Sequence, residues 1–120
     1  MVLIAVDDLL FSSKIRATAK LVGVQLAFAR TPEDILSQAR SLKPSLIIFD
    51  VNSQKADPLT TVAALKHDPE LRDIPTTGFV SHVNTDLIMA ARRAGMDEVM
   101  ARSAFAANLP QILTESEPRP

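Results

Sequence analysis

Five side chains that could bind a cation or take part in phosphoryl transfer each follow a short apolar segment of the chain. They are Asp7, Asp8, Asp50, Ser81 and Arg102. Clustered carboxylates repel one another, and a hard divalent cation such as Mg²⁺ stabilises them. A carboxylate can also be the nucleophile in phosphoryl transfer, with a metal ion and a nearby cation neutralising the developing charge. If the apolar segments are neighbouring strands, these residues form one site, in which Asp50 is the best candidate for the nucleophile.

Each of these residues also has an ordinary structural role. Asp7 or Asp8 could cap the helix that follows, and Asp50 could form a turn after a buried strand. Ser81 could simply belong to a loop, and Arg102 could be a solvated residue at a strand end. The placement of all five at corresponding strand ends favours a common site over these separate roles.

The elements that must position these residues follow a repeating pattern, in which short apolar segments alternate with segments of helical period. This pattern predicts an α/β domain whose parallel sheet is covered by helices on both faces. The predicted strands are residues 2–6, 24–28, 46–49, 76–80 and 98–101. In such a sheet, ligands bind at the carboxyl ends of the strands, which is where the five polar side chains lie.

Local signals predict where several helices begin and end. Thr31 followed by Pro32 marks a helix start, because threonine caps a helix and proline suits its first position. Gly95 marks a helix end, because glycine readily adopts the left-handed conformation found there. The last helix is predicted over residues 103–114, although Pro110 suits it only if the first turn begins as late as residue 108 or 109.

The composition is typical of one soluble globular domain. The chain has 120 residues with a formal net charge of −1, which argues against bulk binding to nucleic acid or anionic lipid. It contains no cysteine, so disulfides and thiolate metal sites are excluded. No basic leader and no apolar run of about 20 residues is present, so we expect a cytoplasmic protein without membrane contact. We expect one domain over residues 1–115 and a disordered tail over residues 116–120.

Several segments together resemble the receiver domain of response regulators, over about residues 2–114. These segments are Val2-Leu3-Ile4-Ala5-Val6-Asp7-Asp8, Leu46-Ile47-Ile48-Phe49-Asp50, Ile74-Pro75 and Ala94-Gly95-Met96-Asp97-Glu98-Val99-Met100-Ala101-Arg102. The resemblance implies a single (βα)5 flavodoxin-like fold with a five-stranded parallel sheet in the order 2-1-3-4-5. It also implies that Asp50 is the phosphoacceptor. Asp8 and Asp50 would bind Mg²⁺ together with the backbone carbonyl of Asn52, and Asp7 would contribute through a water molecule.

The sequence departs from the family in the residues that read the phosphate. Arg102 stands where the family has a lysine, and it keeps the positive charge. The family's hydroxyl at the end of the fourth strand aligns with Val80, or with Ser81 after a shift of one residue that also changes the face. The aromatic switch residue of the fifth strand aligns with Val99. The acceptor half of the site therefore matches the family, and the switch half does not.

The leading hypothesis is a stand-alone signalling receiver that is not an enzyme. A histidine kinase or phosphotransfer protein would phosphorylate Asp50, and an unknown downstream protein would bind through helix four, strand five and helix five, near Arg92, Arg93 and Arg102. The main alternative is a pseudo-receiver binding module that no longer depends on phosphorylation. A small phosphohydrolase is a weaker alternative, because aspartate-nucleophile phosphatases need an acid where this chain has Asn52.

Overall fold

The computed structural model, which describes residues 1–81 and 84–116, has five parallel strands in the order β2-β1-β3-β4-β5. The strands are β1 (Val2–Ala5), β2 (Leu26–Phe28), β3 (Leu46–Asp50), β4 (Thr76–Val80) and β5 (Glu98–Ala101). The helices are α1 (Leu9–Val22), α2 (Pro32–Leu42), α3 (Pro58–His67), α4 (Thr85–Ala94), α5 (Arg102–Ala107) and α6 (Leu109–Ser116). The predicted flavodoxin-like fold and its strand order are confirmed, with one helix more than predicted among the described residues.

Local sequence signals set the ends of α2 and α4. The side chain of Thr31 accepts a hydrogen bond from the N–H of Asp34 at 3.2 Å, so α2 begins at the predicted cap. The side chain of Asn84 accepts one from the N–H of Leu87 at 3.1 Å at the start of α4. Gly95 ends α4 with φ at 114°, a left-handed conformation that glycine adopts without strain from a Cβ atom.

Four predicted elements differ from the structure in their bounds. β2 begins at Leu26 rather than at residue 24, because the N–H of Val24 donates to the carbonyl of Ala19 at 2.9 Å in the last turn of α1. The single helix predicted over residues 103–114 is two helices that meet at Asn108. Pro110 is the second residue of α6, where its missing N–H costs little because no partner in the helix is available there. β1 is one residue shorter and β3 one residue longer than predicted.

Hydrophobic layers cover both faces of the sheet. On one face α1, α5 and α6 contribute the buried side chains of Ile15, Phe105 and Leu113, which pack with Ile4 and Ile48. On the other face α2, α3 and α4 bury the alternate residues of the same strands. Side chains of successive strand residues point to opposite faces, so both layers are supplied by the same short strands. The polar residues that follow the strands therefore collect at the carboxyl edge.

The described part of the chain ends in α6. Ser116, the first residue of the expected tail, is the last residue of α6, and residues 117–120 lie outside the described residues. In the part of the chain that the structure describes, none of the helices combines the length and the apolar character needed to cross a membrane.

Candidate functional site

The carboxyl edge of the sheet brings the predicted site residues together. Asp50 is the last residue of β3, the central strand. Asp7 and Asp8 follow β1, which pairs with β3 directly. Ser81 and Arg102 follow β4 and β5, and both line one cavity of about 580 Å³ beside α1.

Asp50 is held at one oxygen and open at the other. Its Oδ1 accepts a hydrogen bond from the N–H of Asn52 at 3.0 Å, whereas its Oδ2 accepts none within residues 1–81 and 84–116. Burial raises the pKa of Asp50, and the nearby carboxylates of Asp7 and Asp8 raise it further. The Asn52 N–H and the charge of Arg102 oppose this effect but do not cancel it. The raised pKa of Asp50 therefore reflects chiefly the removal of its carboxylate from water, and the charges of Asp7 and Asp8 contribute less.

Arg102 is engaged with Asp8. Its Nη2 lies 3.0 Å from Asp8 Oδ2, and its guanidinium carbon lies 4.3 Å from the centre of the Phe11 ring. Asp8 also caps α1, where its Oδ1 accepts from the Phe11 N–H at 3.1 Å. That backbone hydrogen bond, opposed by burial and assisted by Arg102, lowers the pKa of Asp8. Asp8 therefore has both roles that its position allowed, a helix cap and a member of the acidic cluster.

Asp7 is held by a residue that the sequence analysis missed. The hydroxyl of Ser53, in the loop after β3, donates to Asp7 Oδ2 at 2.5 Å and accepts from the N–H of Ala56 at 3.3 Å. The other oxygen, Asp7 Oδ1, is buried and has no hydrogen-bond partner within residues 1–81 and 84–116. Ser53 is itself buried, and its only local signal is its place three residues after Asp50. An unpaired buried carboxylate oxygen is costly unless a cation is near it.

Comparisons with known proteins agree on the architecture. No protein-family model and no curated protein sequence matches this chain. Its structure is similar to a response regulator from Hahella chejuensis, with a TM-score of 0.85 and 21% identity over 96% of this chain and 92% of that one. It is similar to the chemotaxis response regulator CheY4 of Vibrio cholerae, with a TM-score of 0.81 and 16% identity over 97% of each chain. It is also similar to the Mn²⁺-bound form of response regulator Rcp1, with a TM-score of 0.79 and 18% identity over 99% of this chain and 97% of that one.

This chain has the receiver fold of response regulators. The predicted acceptor position of that fold, at the end of the central strand, is occupied here by Asp50.

The acidic cluster of this receiver fold contains oxygens that a cation could use. Asp7 Oδ1 is buried without a partner, and Asp50 Oδ2 accepts no hydrogen bond among the described residues. Such oxygens suit a hard divalent cation, so the donor set fits Mg²⁺. Within the described residues, however, no group of three or more acidic, histidine or cysteine side chains is already arranged to hold a metal ion. Both carboxylate oxygens of Asp8, a predicted ligand, already accept hydrogen bonds: Oδ2 from Arg102 Nη2 and Oδ1 from the Phe11 N–H.

Val80 and Ser81, the two candidates for the family's hydroxyl position, lie differently in the structure. Val80 is 1% exposed and packs with the layer that contains Phe49, on the opposite face from Ile48. Asp50 lies two residues after Ile48, so strand alternation places it on the face that Val80 does not share. Ser81 is exposed, lines the cavity with Arg102, and donates its N–H to the side chain of Asn52 at 2.8 Å. On the β4 side of this cavity the hydroxyl is that of Ser81, while Val80 and Ser103 also line the cavity.

The predicted switch position on β5 lies inside the core. Val99 is 8% exposed and packs in the same layer as Val80. A valine side chain has no ring that could exchange between buried and exposed positions, and no hydrogen-bonding group. Two of the positions aligned with the family's switch therefore carry packing residues.

Proposed function

We propose that this chain is a signalling receiver that accepts a phosphoryl group on Asp50 and acts by contact with another protein, rather than as an enzyme. The observation that carries the proposal is the state of Asp50, whose Oδ1 is held by the Asn52 N–H at 3.0 Å while Oδ2 accepts no hydrogen bond among the described residues. A carboxylate fixed at one oxygen and open at the other, at the edge of the sheet, is suited to attack a phosphorus atom.

In the proposed reaction an O–P bond forms at Asp50 Oδ2 while the bond from phosphorus to the donor breaks. The leaving atom is the imidazole nitrogen of a phosphohistidine or the carboxylate oxygen of an acyl phosphate, and it takes the bonding electron pair. Mg²⁺, when bound by Asp7, Asp8 and Asp50, would neutralise charge on the transferring group. Arg102 would exchange its bond to Asp8 for bonds to phosphoryl oxygens, which its planar fork can contact in pairs.

The proposed phosphoryl donor is a histidine kinase or a phosphotransfer protein, and the proposed compartment is the cytoplasm. The likeness of the fold to solved response regulators supports this class of partner. The hydroxyl of Ser81, in the cavity with Arg102, is the proposed group that contacts the phosphoryl oxygens from the β4 side. The formal net charge of −1 gives no support for direct binding to nucleic acid or to a membrane surface.

We infer that the output face is made by α4, β5 and α5 and that it binds its partner nearly independently of phosphorylation. Val80 and Val99 are buried in the core, and neither side chain can donate a hydrogen bond to a phosphoryl oxygen. A ligand shifts an equilibrium only by its differential affinity for the two states, so the coupling should be small. Arg92 and Arg93, both exposed at the end of α4, suit an acidic or amphipathic partner helix.

The test of the acceptor is mass spectrometry of the intact protein after incubation with a small phosphodonor. Wild type is expected to gain the mass of one phosphoryl group with Mg²⁺ and not after chelation, because the acceptor and the metal ligands are the same carboxylate cluster. Asp50→Asn is expected to abolish the adduct. Asp57→Asn is the matched control, because Asp57 is an exposed acid in the same loop whose left-handed conformation, with φ at 42°, asparagine also tolerates.

Two outcomes would contradict the proposal. An adduct that forms equally on Asp50→Asn would place the reaction elsewhere. A complete lack of adduct on folded wild type, at every donor concentration with Mg²⁺, would favour a binding module that has kept the receiver fold without its chemistry.

A further inference from the structure

A second polar cavity lies at the carboxyl edge, on the side of α1 next to β2. Four residues of α1 line it at positions spaced three and four apart, which places them on one side of the helix. They are Leu9, Ser12, Ser13 and Arg16. Val6, Phe28 and Arg30 complete the wall, and the volume is about 270 Å³. The cavity that Ser81 and Arg102 line is bounded instead by Leu10, Phe11 and Lys14 of α1, so the two cavities use different sides of this helix.

The charge of this cavity is positive and uncompensated. Its lining contains two guanidinium groups and no carboxylate. Neither Arg16 nor Arg30 forms an ion pair with any described residue, whereas Arg40 pairs with Asp68 at 2.7 Å and Arg102 pairs with Asp8 at 3.0 Å. The chain has nearly equal numbers of acidic and basic residues, so two unpaired arginines at one cavity are not a consequence of a basic composition. Their joint field favours an anion.

A largely buried serine whose hydroxyl has no partner among the described residues lines the same cavity. Ser12 is 6% exposed, and its hydroxyl makes no hydrogen bond with any residue in the described ranges. Some other helical hydroxyls in this chain bond to the carbonyl four residues back, as Thr18 does with Lys14 at 3.0 Å and Ser41 with Ser37 at 3.0 Å. Among the described residues the fully buried side-chain atom without a partner is Asp7 Oδ1, so the hydroxyl of Ser12 keeps some exposure through the cavity and is available to a ligand there.

Arg16 is positioned before any ligand binds. Its guanidinium carbon lies 4.3 Å from the centre of the Phe28 ring, a cation–π contact that orients the plane of the guanidinium group. The contact leaves the N–H groups on the edge of the guanidinium for an anion. A guanidinium that is already oriented loses less conformational freedom on binding, which favours affinity.

We propose that this cavity is a binding site for a phosphate dianion, held by Arg16 and Arg30 with the hydroxyls of Ser12 and Ser13. Two guanidinium groups match the two negative charges, and the tetrahedral oxygens accept hydrogen bonds from all four side chains. The same dianion could come from inorganic phosphate or from the monoester of a small organic compound. The volume is near the lower limit for small-molecule sites, so the organic part of a monoester would be small and would rest on Val6 and Phe28.

The test is a titration of the full chain with inorganic phosphate and, separately, with phenyl phosphate, followed by backbone amide spectra at constant ionic strength without Mg²⁺. Saturable shifts are expected at Ser12, Ser13 and Arg30. Arg16→Gln and Arg30→Gln are each expected to lower the affinity about tenfold or more, because each removes charge-assisted hydrogen bonds. Arg72→Gln, which removes an exposed arginine from the loop before β4, is the matched control and should leave the affinity unchanged.

The two probes separate the sources of the dianion. Tighter binding of phenyl phosphate than of inorganic phosphate would identify a monoester whose organic part contacts Val6 and Phe28. Equal binding of the two probes would identify free phosphate. The proposal is overturned if the shifts do not saturate, if they centre on Ser81 and Arg102, or if Arg72→Gln weakens binding as much as the two cavity variants do. Because both cavity arginines are exposed, their variants should remain folded, which the same spectra report.

Discussion

Replacement of Arg102 with glutamine should increase the affinity of the acidic cluster for Mg²⁺. Arg102 now lies 3.0 Å from Asp8 Oδ2 and over the ring of Phe11. A cation that uses the Asp8 carboxylate must compete with this guanidinium, and it must also approach a like charge. Arg102→Gln removes both obstacles and keeps a side chain of similar length.

The expected size of this effect follows from the exposure of the pair. The side chains of Arg102 and Asp8 are 35% and 37% exposed, so the ion pair is close to a surface pair, which contributes about 0.2–1 kcal/mol. The contact with Phe11 adds about 0.5–1 kcal/mol at a site of this exposure, although some of it is kept if the guanidinium remains on the ring after leaving Asp8. A net change of about 0.5–1 kcal/mol corresponds to a two- to fivefold gain in Mg²⁺ affinity, roughly.

The assay is a Mg²⁺ titration followed by the backbone amides of Asp8, Asp50 and Asn52, because the chain has no tryptophan or tyrosine to report by fluorescence. Arg93→Gln removes the same charge from an exposed position on α4 and should leave the affinity unchanged. If Arg102→Gln binds Mg²⁺ no more tightly than wild type, or if Arg93→Gln gives the same gain, the competition between Arg102 and the cation is refuted.

Further predictions concern the packing and electrostatics that hold the site in place. Gly78→Ala should destabilise the fold by about 1–3 kcal/mol, because an added Cβ would overlap Met96 Sδ and would lie 2.6 Å from Val51 Cγ2. Urea unfolding followed by circular dichroism measures this loss, and an unchanged unfolding midpoint would contradict the prediction. Burial raises the pKa of Asp97, but hydrogen bonds from Thr76 and Lys66 outweigh it and lower the pKa below its ordinary value. The ionised carboxylate therefore stabilises the fold above about pH 4, and this contribution is lost as the pH falls below that value. Asp97→Asn should accordingly lower the free energy of unfolding by about 1 kcal/mol at pH 7, since the side chain is half-exposed, and by progressively less below pH 4. A loss of stability that does not depend on pH would contradict this role of Asp97.

Features that depend on local chemistry could be predicted from the sequence. The start of α2 at Thr31 and the end of α4 at Gly95 follow from residues adjacent in the chain, and the order of the strands follows from the resemblance. The start of β2 could not be predicted, because Val24 has the side chain of a strand residue while its N–H is used by the last turn of α1. The periodicity of side chains carries no information about such backbone competition.

The partners within the site could not be predicted for a related reason. Ser53 reaches Asp7 across 46 positions in the sequence, and Arg102 reaches Asp8 across 94. Sequence position identified four of the strand ends that meet at the carboxyl edge, but the pairing of side chains there depends on packing between distant elements. The face of the sheet on which Ser81 lies could be determined only from the pairing register of β3 and β4, because a shift of one residue along a strand moves the side chain to the opposite face.

The central claim, a working phosphoacceptor in a receiver fold without the family's switch, is tested most directly by backbone amide spectra with and without beryllofluoride. With Mg²⁺ present, beryllofluoride bound to a carboxylate stands in for the phosphoryl group. We predict saturable shifts at Asp8, Asp50, Ser81 and Arg102, with little change in α4. A spectrum that does not change around Asp50 would contradict the acceptor, and large shifts throughout α4 and β5 around Val99 would contradict the missing switch.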